Sequence, residues 1–99
     1  MTNMNSTAER TEVSLHEAKI YLVLRQRPDE WLTGEELSEK SGVNPRTCRM
    51  HTVRLVKLGV IEQVRLHPAH RYRFPAKSAK RNEAYIKRVE LAAEIFGLK

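Results

Sequence analysis

The chain has 99 residues, of which 40% are hydrophobic and 30% charged, with a formal net charge of +6. This length and composition are typical of one soluble globular domain, and they exclude a chain that is disordered throughout. No apolar run approaches the roughly 20 residues that cross a bilayer. Residues 1–11 have no apolar signal-peptide core, and the single cysteine, Cys48, excludes an intrachain disulfide. We therefore expect a cytoplasmic protein without a membrane partner.

The basic residues are concentrated in the second half of the chain. Residues 44–81 carry ten Lys/Arg and one acidic residue, Glu62, whereas residues 1–43 carry five Lys/Arg and eight Asp/Glu. Clustered cations gain free energy by displacing counterions from a phosphate backbone, so this separation predicts a polyanionic partner. The alternative is a solvated basic surface that only keeps the protein soluble.

The first predicted elements are a tail and a helix. Residues 1–12 are polar and lack periodicity, which favours a flexible N-terminal tail. Ser14 and Glu17 have the spacing of a capping box, so a helix should begin there. Its apolar residues cover more than one face, which indicates the central helix of a bundle, and Pro28 prevents the helix from continuing.

A second, short helix follows a short apolar strand. The strand Trp31–Leu32 precedes Thr33 and Glu36, which repeat the capping-box spacing and open a helix through about Lys40. Gly42 can adopt the left-handed conformation that a tight turn after this helix needs. The sequence therefore predicts a sharp change of chain direction at this glycine.

The third helix has well-marked boundaries. Asn44 is a capping residue, and Pro45 suits the first helical position because no amide hydrogen is needed there. The helix should run to about Leu58 and stop at Gly59. Two short helices joined by a tight glycine-containing turn form a helix-turn-helix motif.

The remainder of the chain predicts a hairpin and a last helix. Residues 60–66 and 71–74 alternate in hydrophobicity around a turn at 67–70, which is typical of a β-hairpin. Residues 76–81 form a basic connector, and a helix beginning at Ala79 or Asn82 should run to Phe96. The predicted fold is therefore α+β and mostly helical, with three helices, a short β-hairpin wing and an extra C-terminal helix.

The segment LTGEELSEKSGVNPRTCRMHTVRLVKLGVIEQV resembles winged-helix transcription regulators, the broad group that includes antibiotic-resistance (MarR-type) and arsenic-responsive (ArsR-type) repressors. The resemblance covers about residues 14–76. It rests on Leu-Thr-x-x-Glu-Leu at 32–37, the turn Ser41–Gly42, Thr47, Leu55, Leu58 and Gly59-Val60-Ile61-Glu62. It implies a winged-helix DNA-binding domain at 13–76, after the tail at 1–12 and before the connector and C-terminal helix at 77–99.

The third helix is the expected recognition helix. With successive residues about 100° apart, Cys48, Thr52 and Leu55 share one side, which should be buried. Arginine can bridge the O6 and N7 acceptors of guanine, and apolar side chains can meet the thymine methyl group. We therefore predict base contacts from the residues at or beside the opposite side and near the helix N-terminus, namely Arg46, Thr47, Arg49, Met50 and Val53.

A second set of residues should position the protein on the DNA backbone, from the flanks of the third helix and from the hairpin. The resemblance implies that the hairpin, as a wing, lies along the backbone or enters the adjacent minor groove. The predicted contacts are Asn44, Arg54, Lys57, Arg65, His67, His70, Arg71, Arg73 and Lys77.

The last helix should be a dimerisation element, because its apolar residues form a narrow, heptad-like stripe. The predicted contacts with a second subunit are Tyr85, Ile86, Val89, Ala93 and Phe96. Two recognition helices would then lie about 34 Å apart and recognise a pseudo-palindrome. The alternative is that this stripe folds back on its own domain.

The sequence also contains residues with the spacing of metal ligands. Cys48-x-x-His51 and His67-x-x-His70 have ligand-like spacing. A core cysteine and surface histidines at a turn explain the same residues without a metal, so we predict neither metal nor cofactor. We also predict no enzyme, because the sequence has no Gly-rich phosphate loop and no Gly-x-Ser-x-Gly nucleophile motif.

The sequence therefore predicts a double-stranded DNA-binding transcriptional regulator that represses by occlusion and acts as a homodimer. The pattern does not identify an operator or a small-molecule effector. The alternative is a winged-helix protein-interaction or replication or assembly accessory module, in which exposed Met50 and Val53 contact a partner. RNA binding is disfavoured, because Tyr72 and Phe74, the two aromatic residues of the basic region, should both face the core.

Overall fold

The computed structural model describes residues 13–76 and 80–98. The predicted tail at 1–12 and the predicted contact Lys77 lie outside the described residues. In chain order, the elements are α1 (Leu15–Arg25), β1 (Leu32–Thr33), α2 (Gly34–Ser41), α3 (Pro45–Lys57), β2 (Glu62–Val64), β3 (Arg71–Arg73) and α4 (Glu83–Ile95).

The first three helices begin at the predicted capping residues. Ser14 and Thr33 both form complete capping boxes with the glutamate three residues later. The side chain of Asn44 accepts a hydrogen bond from the backbone N–H of Thr47 at 3.0 Å, and Pro45 occupies the first turn of α3. These bonds satisfy backbone donors that the first helical turn leaves without partners.

Gly42 forms the tight turn between α2 and α3. Its φ of 76° is left-handed, and its backbone N–H donates to the carbonyl of Ser38 at 3.0 Å. A residue with a Cβ atom adopts this conformation only with strain, which explains the glycine. The turn brings Val43 into the core and lets α3 leave at an angle to α2.

The three strands form a small antiparallel sheet in the order β1-β3-β2. Tyr72 in the central strand lies opposite Leu32 on one side and Gln63 on the other. The hairpin β2–β3 is the predicted wing, although β2 is shorter than the predicted strand at 60–66. The predicted α+β fold, with a helix-turn-helix, a wing and a C-terminal helix, is therefore confirmed.

Helix α1 is the central helix, as predicted. Residues Glu17, Ala18 and Ile20–Leu24 are buried, and α1 packs against α2, α3 and α4. The core around it draws buried apolar residues from every helix, from β1 and β3, and from the turn and loop segments between elements. A helix that is apolar around most of its circumference must be covered on most sides.

The position of the predicted dimerisation stripe requires a correction. Tyr85, Ile86, Val89 and Ala93 are buried inside the chain itself, so they are unavailable to a second subunit. Of the predicted set, only Phe96 is exposed. An apolar stripe of this width is needed equally by a helix that pairs with another copy and by one that covers its own core. The stripe packs on α1, and the exposed large apolar residues are instead Leu91 and Ile95 in α4 and Phe96 at its C-cap.

Candidate nucleic-acid interface

The inner side of α3 faces the core, as the helical periodicity predicts. Cys48, Thr52 and Leu55 are buried. The hydroxyl of Thr52 donates to the backbone carbonyl of Cys48 at 2.6 Å, which satisfies a polar group in an apolar setting. Burial raises the pKa of the Cys48 thiol, so the thiol stays protonated and weakly reactive.

The outer side of α3 presents basic and apolar residues together. Arg46, Arg49 and Lys57 are exposed. Met50 and Val53 lie among these cations, and their exposed fractions are 63% and 46%, respectively. Thr47 is half-buried, and its backbone N–H bonds to Asn44, so it lies at the edge of this surface. We call Arg46, Arg49, Met50, Val53 and Lys57 the outer face of α3. A face directed only at water has little reason to carry two exposed apolar side chains.

An open groove of about 500 Å³ separates α3 from the wing. Pro45, Arg49 and Thr52 line it from α3, and Ala69, His70 and Tyr72 line it from the hairpin. Thr33, Gly34 and Glu35 close it at the start of α2. The groove places one flank of α3 beside the wing, so both elements can meet the same extended ligand.

The wing divides its predicted contacts into two groups. Arg65, His67, His70 and Arg71 are exposed. Arg73 is instead held within the protein. Its Nη2 atom donates to Glu62 Oε1 at 3.0 Å, and its guanidinium lies 4.4 Å from the centre of the Trp31 ring. A cation over an indole face is attracted by the ring. The two contacts therefore attach β3 to β2 and to Trp31, and stabilise the wing where it joins the rest of the protein.

Arg54 is also engaged inside the protein. Its Nη1 atom donates to Glu17 Oε2, and the Glu17 side chain is fully buried. Glu17 was predicted only as a capping residue of α1. The sequence signal for a second role is its position, since it shares a helical face with Ile20, Tyr21 and Leu24, where an apolar residue is expected.

The residues with ligand-like spacing do not form a metal site in the described part of the chain. Among residues 13–76 and 80–98, no three His, Cys, Asp or Glu side chains come together in an arrangement that would hold a metal ion. His67 and His70 are exposed at the turn of the wing, whereas Cys48 is buried beneath α3. Within the same described part of the chain, no helix combines the length and apolar character needed to span a membrane.

No protein-family model matches the chain, and no curated protein matches it in sequence. Two solved structures are similar to it in fold. The transcriptional repressor BigR from Xylella fastidiosa is 19% identical, with a TM-score of 0.60 over 97% of this chain and 86% of that chain. A possible transcriptional regulator from Methanosarcina mazei Go1 is 14% identical, with a TM-score of 0.61 over 98% and 84%. At these identities the likeness shows the fold alone.

Proposed function

We propose that this chain is a double-stranded DNA-binding transcriptional regulator that places α3 in the major groove. The observation that carries the proposal is the outer face of α3, where three cations surround two exposed apolar side chains on a helix whose other side is buried. A major groove offers that face both acceptor edges and thymine methyl groups. Support also comes from the fold, because both similar structures are described as transcriptional regulators.

The residues take roles according to their position. Arg46 and Arg49 reach guanine edges from the first turns of α3, with Thr47 beside them. Met50 and Val53 contact thymine methyl groups. Contacts to the DNA backbone come from Asn44, Lys57, Arg65, His67, His70 and Arg71, which are exposed on α3 and the wing. The output is occlusion of a promoter, and we propose neither an enzymatic activity nor a cofactor.

We further propose that the protein is a homodimer formed through the outer face of α4. Leu91 and Ile95 are 57% and 74% exposed there, and Val13, Arg88 and Ala92 complete a shallow apolar depression. A second copy is the partner that fits by charge. Antiparallel pairing of two α4 helices about an axis at Leu91 brings Arg88 of each copy toward Glu94 of the other. Two copies would recognise the two halves of a pseudo-palindrome.

The first experiment titrates a labelled random-sequence duplex with the protein at several salt concentrations, followed by selection of an operator from a random pool. We expect affinity to fall linearly on a log–log plot against salt. The variant Arg46→Ala/Arg49→Ala should lose operator binding while retaining its circular dichroism spectrum. Its matched control is Lys19→Ala/Lys40→Ala, which removes the same charge from α1 and α2, outside the outer face of α3. Equal losses in the two variants would contradict the site, because net charge alone would explain them.

The same titration tests the second candidate function, a protein-interaction module. Exposed Met50 and Val53 are the observation that favours it, because apolar side chains on a surface also suit a protein partner. If the unmodified protein fails to bind any duplex at low salt, the DNA-binding proposal is wrong, and this second function becomes the better explanation of the outer face.

A further inference from the structure

One buried carboxylate connects three helices of the molecule. The Oε1 atom of Glu17 accepts from the Tyr85 hydroxyl at 3.3 Å and from the backbone N–H of Ser14 at 3.4 Å. The Oε2 atom accepts from Arg54 and lies 3.4 Å from Nδ1 of His51. Glu17 is in the first turn of α1, His51 and Arg54 are on α3, and Tyr85 is in the first turn of α4.

The contacts around Glu17 are mutually dependent. A carboxylate without solvent contact needs a cation and hydrogen-bond donors, and this cluster supplies Arg54, Tyr85, His51 and a backbone amide. Removing one of them leaves the others facing an incompletely paired buried charge. The cluster therefore favours one relative placement of the three helices over nearby alternatives.

The cluster acts on the side of α3 that turns away from the wing. His51 and Arg54 are one turn apart on the same flank, whereas Arg49 on the other flank lines the groove beside the wing. The rotation of α3 about its axis decides which residues point outward. A contact that holds one flank thereby sets the direction of the outer face without being part of it.

We propose that Glu17, His51, Arg54 and Tyr85 form a clamp that sets the orientation of the recognition helix. In this proposal Glu17 and Tyr85 are positioning residues for DNA recognition, and Arg54 is a member of the clamp rather than a phosphate contact. The proposal rests on the proposed DNA-binding function. Through Glu17, the clamp also connects α3, which is proposed to contact the DNA, with α4, which carries the proposed dimer surface.

Two substitutions that remove the same charge from α3 separate a clamp residue from a phosphate contact. Lys57→Gln should reduce the slope of log affinity against log salt by about 0.9, and should weaken selected and random duplexes alike. Arg54→Gln should leave that slope unchanged and reduce the ratio of selected to random affinity by about 2- to 30-fold, as expected for a residue that acts through others. If Arg54→Gln instead lowers the slope as Lys57→Gln does, with the ratio unchanged, the proposal is wrong.

Tyr85→Phe is the milder variant, which keeps the ring and removes one hydroxyl. It should lower the ratio of selected to random affinity in the same direction as Arg54→Gln, with an unchanged salt slope. A readout without DNA is amide hydrogen exchange. Exchange in α3 should be faster in Arg54→Gln and Tyr85→Phe than in Lys57→Gln.

Duplex binding and amide hydrogen exchange together distinguish a failure of the proposed function from a failure of the clamp. If the unmodified protein binds no duplex, the proposed function fails, and exchange alone then decides whether the clamp exists. If exchange in α3 is the same in all three variants, the clamp is absent whatever the DNA results show. Duplex binding by the unmodified protein together with an unaltered affinity ratio in Arg54→Gln and Tyr85→Phe would also overturn the proposal.

Discussion

Helices α3 and α4 are both 13 residues long and differ in what they expose. Each buries one side in the same core. The exposed side of α3 combines Arg46, Arg49 and Lys57 with Met50 and Val53, whereas the exposed side of α4 centres on Leu91 and Ile95. The buried sides are alike in that both are mostly apolar and pack on the core. For these exposed sides we propose different partners, a polyanion for α3 and a second copy of the chain for α4.

The largest expected effect separates the two sides of α3. Leu55 is fully buried, so Leu55→Ala should lower the free energy of unfolding by about 2–5 kcal/mol. Met50→Ala, on the outer face, should change it by less than about 0.5 kcal/mol. Urea denaturation measures both. Similar losses in the two variants would mean that Met50 packs on the protein and is not presented to a partner.

The next effect tests the exposed side of α4. Leu91→Asp/Ile95→Asp should weaken self-association by about 2 kcal/mol or more, or about 30-fold in dissociation constant, because it places charges in the proposed apolar contact. Sedimentation equilibrium measures the change. Leu66→Asp is the control, since Leu66 is also an exposed apolar residue but lies on the wing. A monomer in the unmodified protein, or equal association in both variants, would refute the dimer surface.

A third prediction concerns the attachment of α4 to α1. The hydroxyl of Tyr21 donates to Glu90 Oε2 at 2.6 Å, so Tyr21→Phe should cost about 1.5–3 kcal/mol of unfolding free energy near pH 7. A matched measurement on Tyr72→Phe, whose hydroxyl accepts from Gln63 at 3.4 Å, should show a smaller loss.

The hydrogen bond between Tyr21 and Glu90 also predicts that the free energy of unfolding falls at alkaline pH. Burial and the hydrogen bond to Glu90 raise the pKa of Tyr21 above its ordinary value of 10.0, and burial with the charge of Glu17 raises the pKa of Tyr85. Both phenols therefore stay protonated to a higher pH in the folded state than in the unfolded state. Their contribution to stability is therefore complete below about pH 10 and is lost as the pH rises further. Tyr21→Phe should make the loss above pH 10 shallower, and an unchanged slope would contradict the assignment.

The smallest expected effect probes the apolar part of the outer face of α3. Replacing thymine by deoxyuridine at one operator position removes a single methyl group, which should cost about 0.8 kcal/mol where Met50 or Val53 contacts it. In Met50→Ala the same replacement should cost less at the Met50 position, and anisotropy titrations measure the difference. A replacement that costs the same in both proteins, at every thymine, would exclude contact between Met50 and a thymine methyl group.

Several features of the fold and the site were predictable because they depend on neighbouring residues. The capping bonds of Ser14, Thr33 and Asn44 join atoms three residues apart, so the residue types alone predict where α1, α2 and α3 begin. The outer face of α3 follows from the 100° step between residues once one side is known to be apolar. These features needed no knowledge of how the helices pack.

Other features depended on contacts between distant segments. The carboxylate of Glu17 contacts Arg54 across 37 residues and Tyr85 across 68, and Arg73 contacts Glu62 across the two strands of the wing. Residue types alone assigned Arg54 and Arg73 to phosphates, because a sequence shows a cation but not the acid beside it. The sequence likewise assigned the apolar stripe of α4 to a second copy, and only its packing on α1 shows that it covers the core of its own chain.

By itself, therefore, the sequence determined the element order, the helix starts, the turn at Gly42 and the basic face of α3, because short-range hydrogen bonds and helical periodicity specify them. Only the tertiary structure decided which side of α4 is exposed and which cations are already paired within the protein. Those outcomes depend on the packing angles between helices, which arise from the summed contacts of the whole core and not from any local pattern.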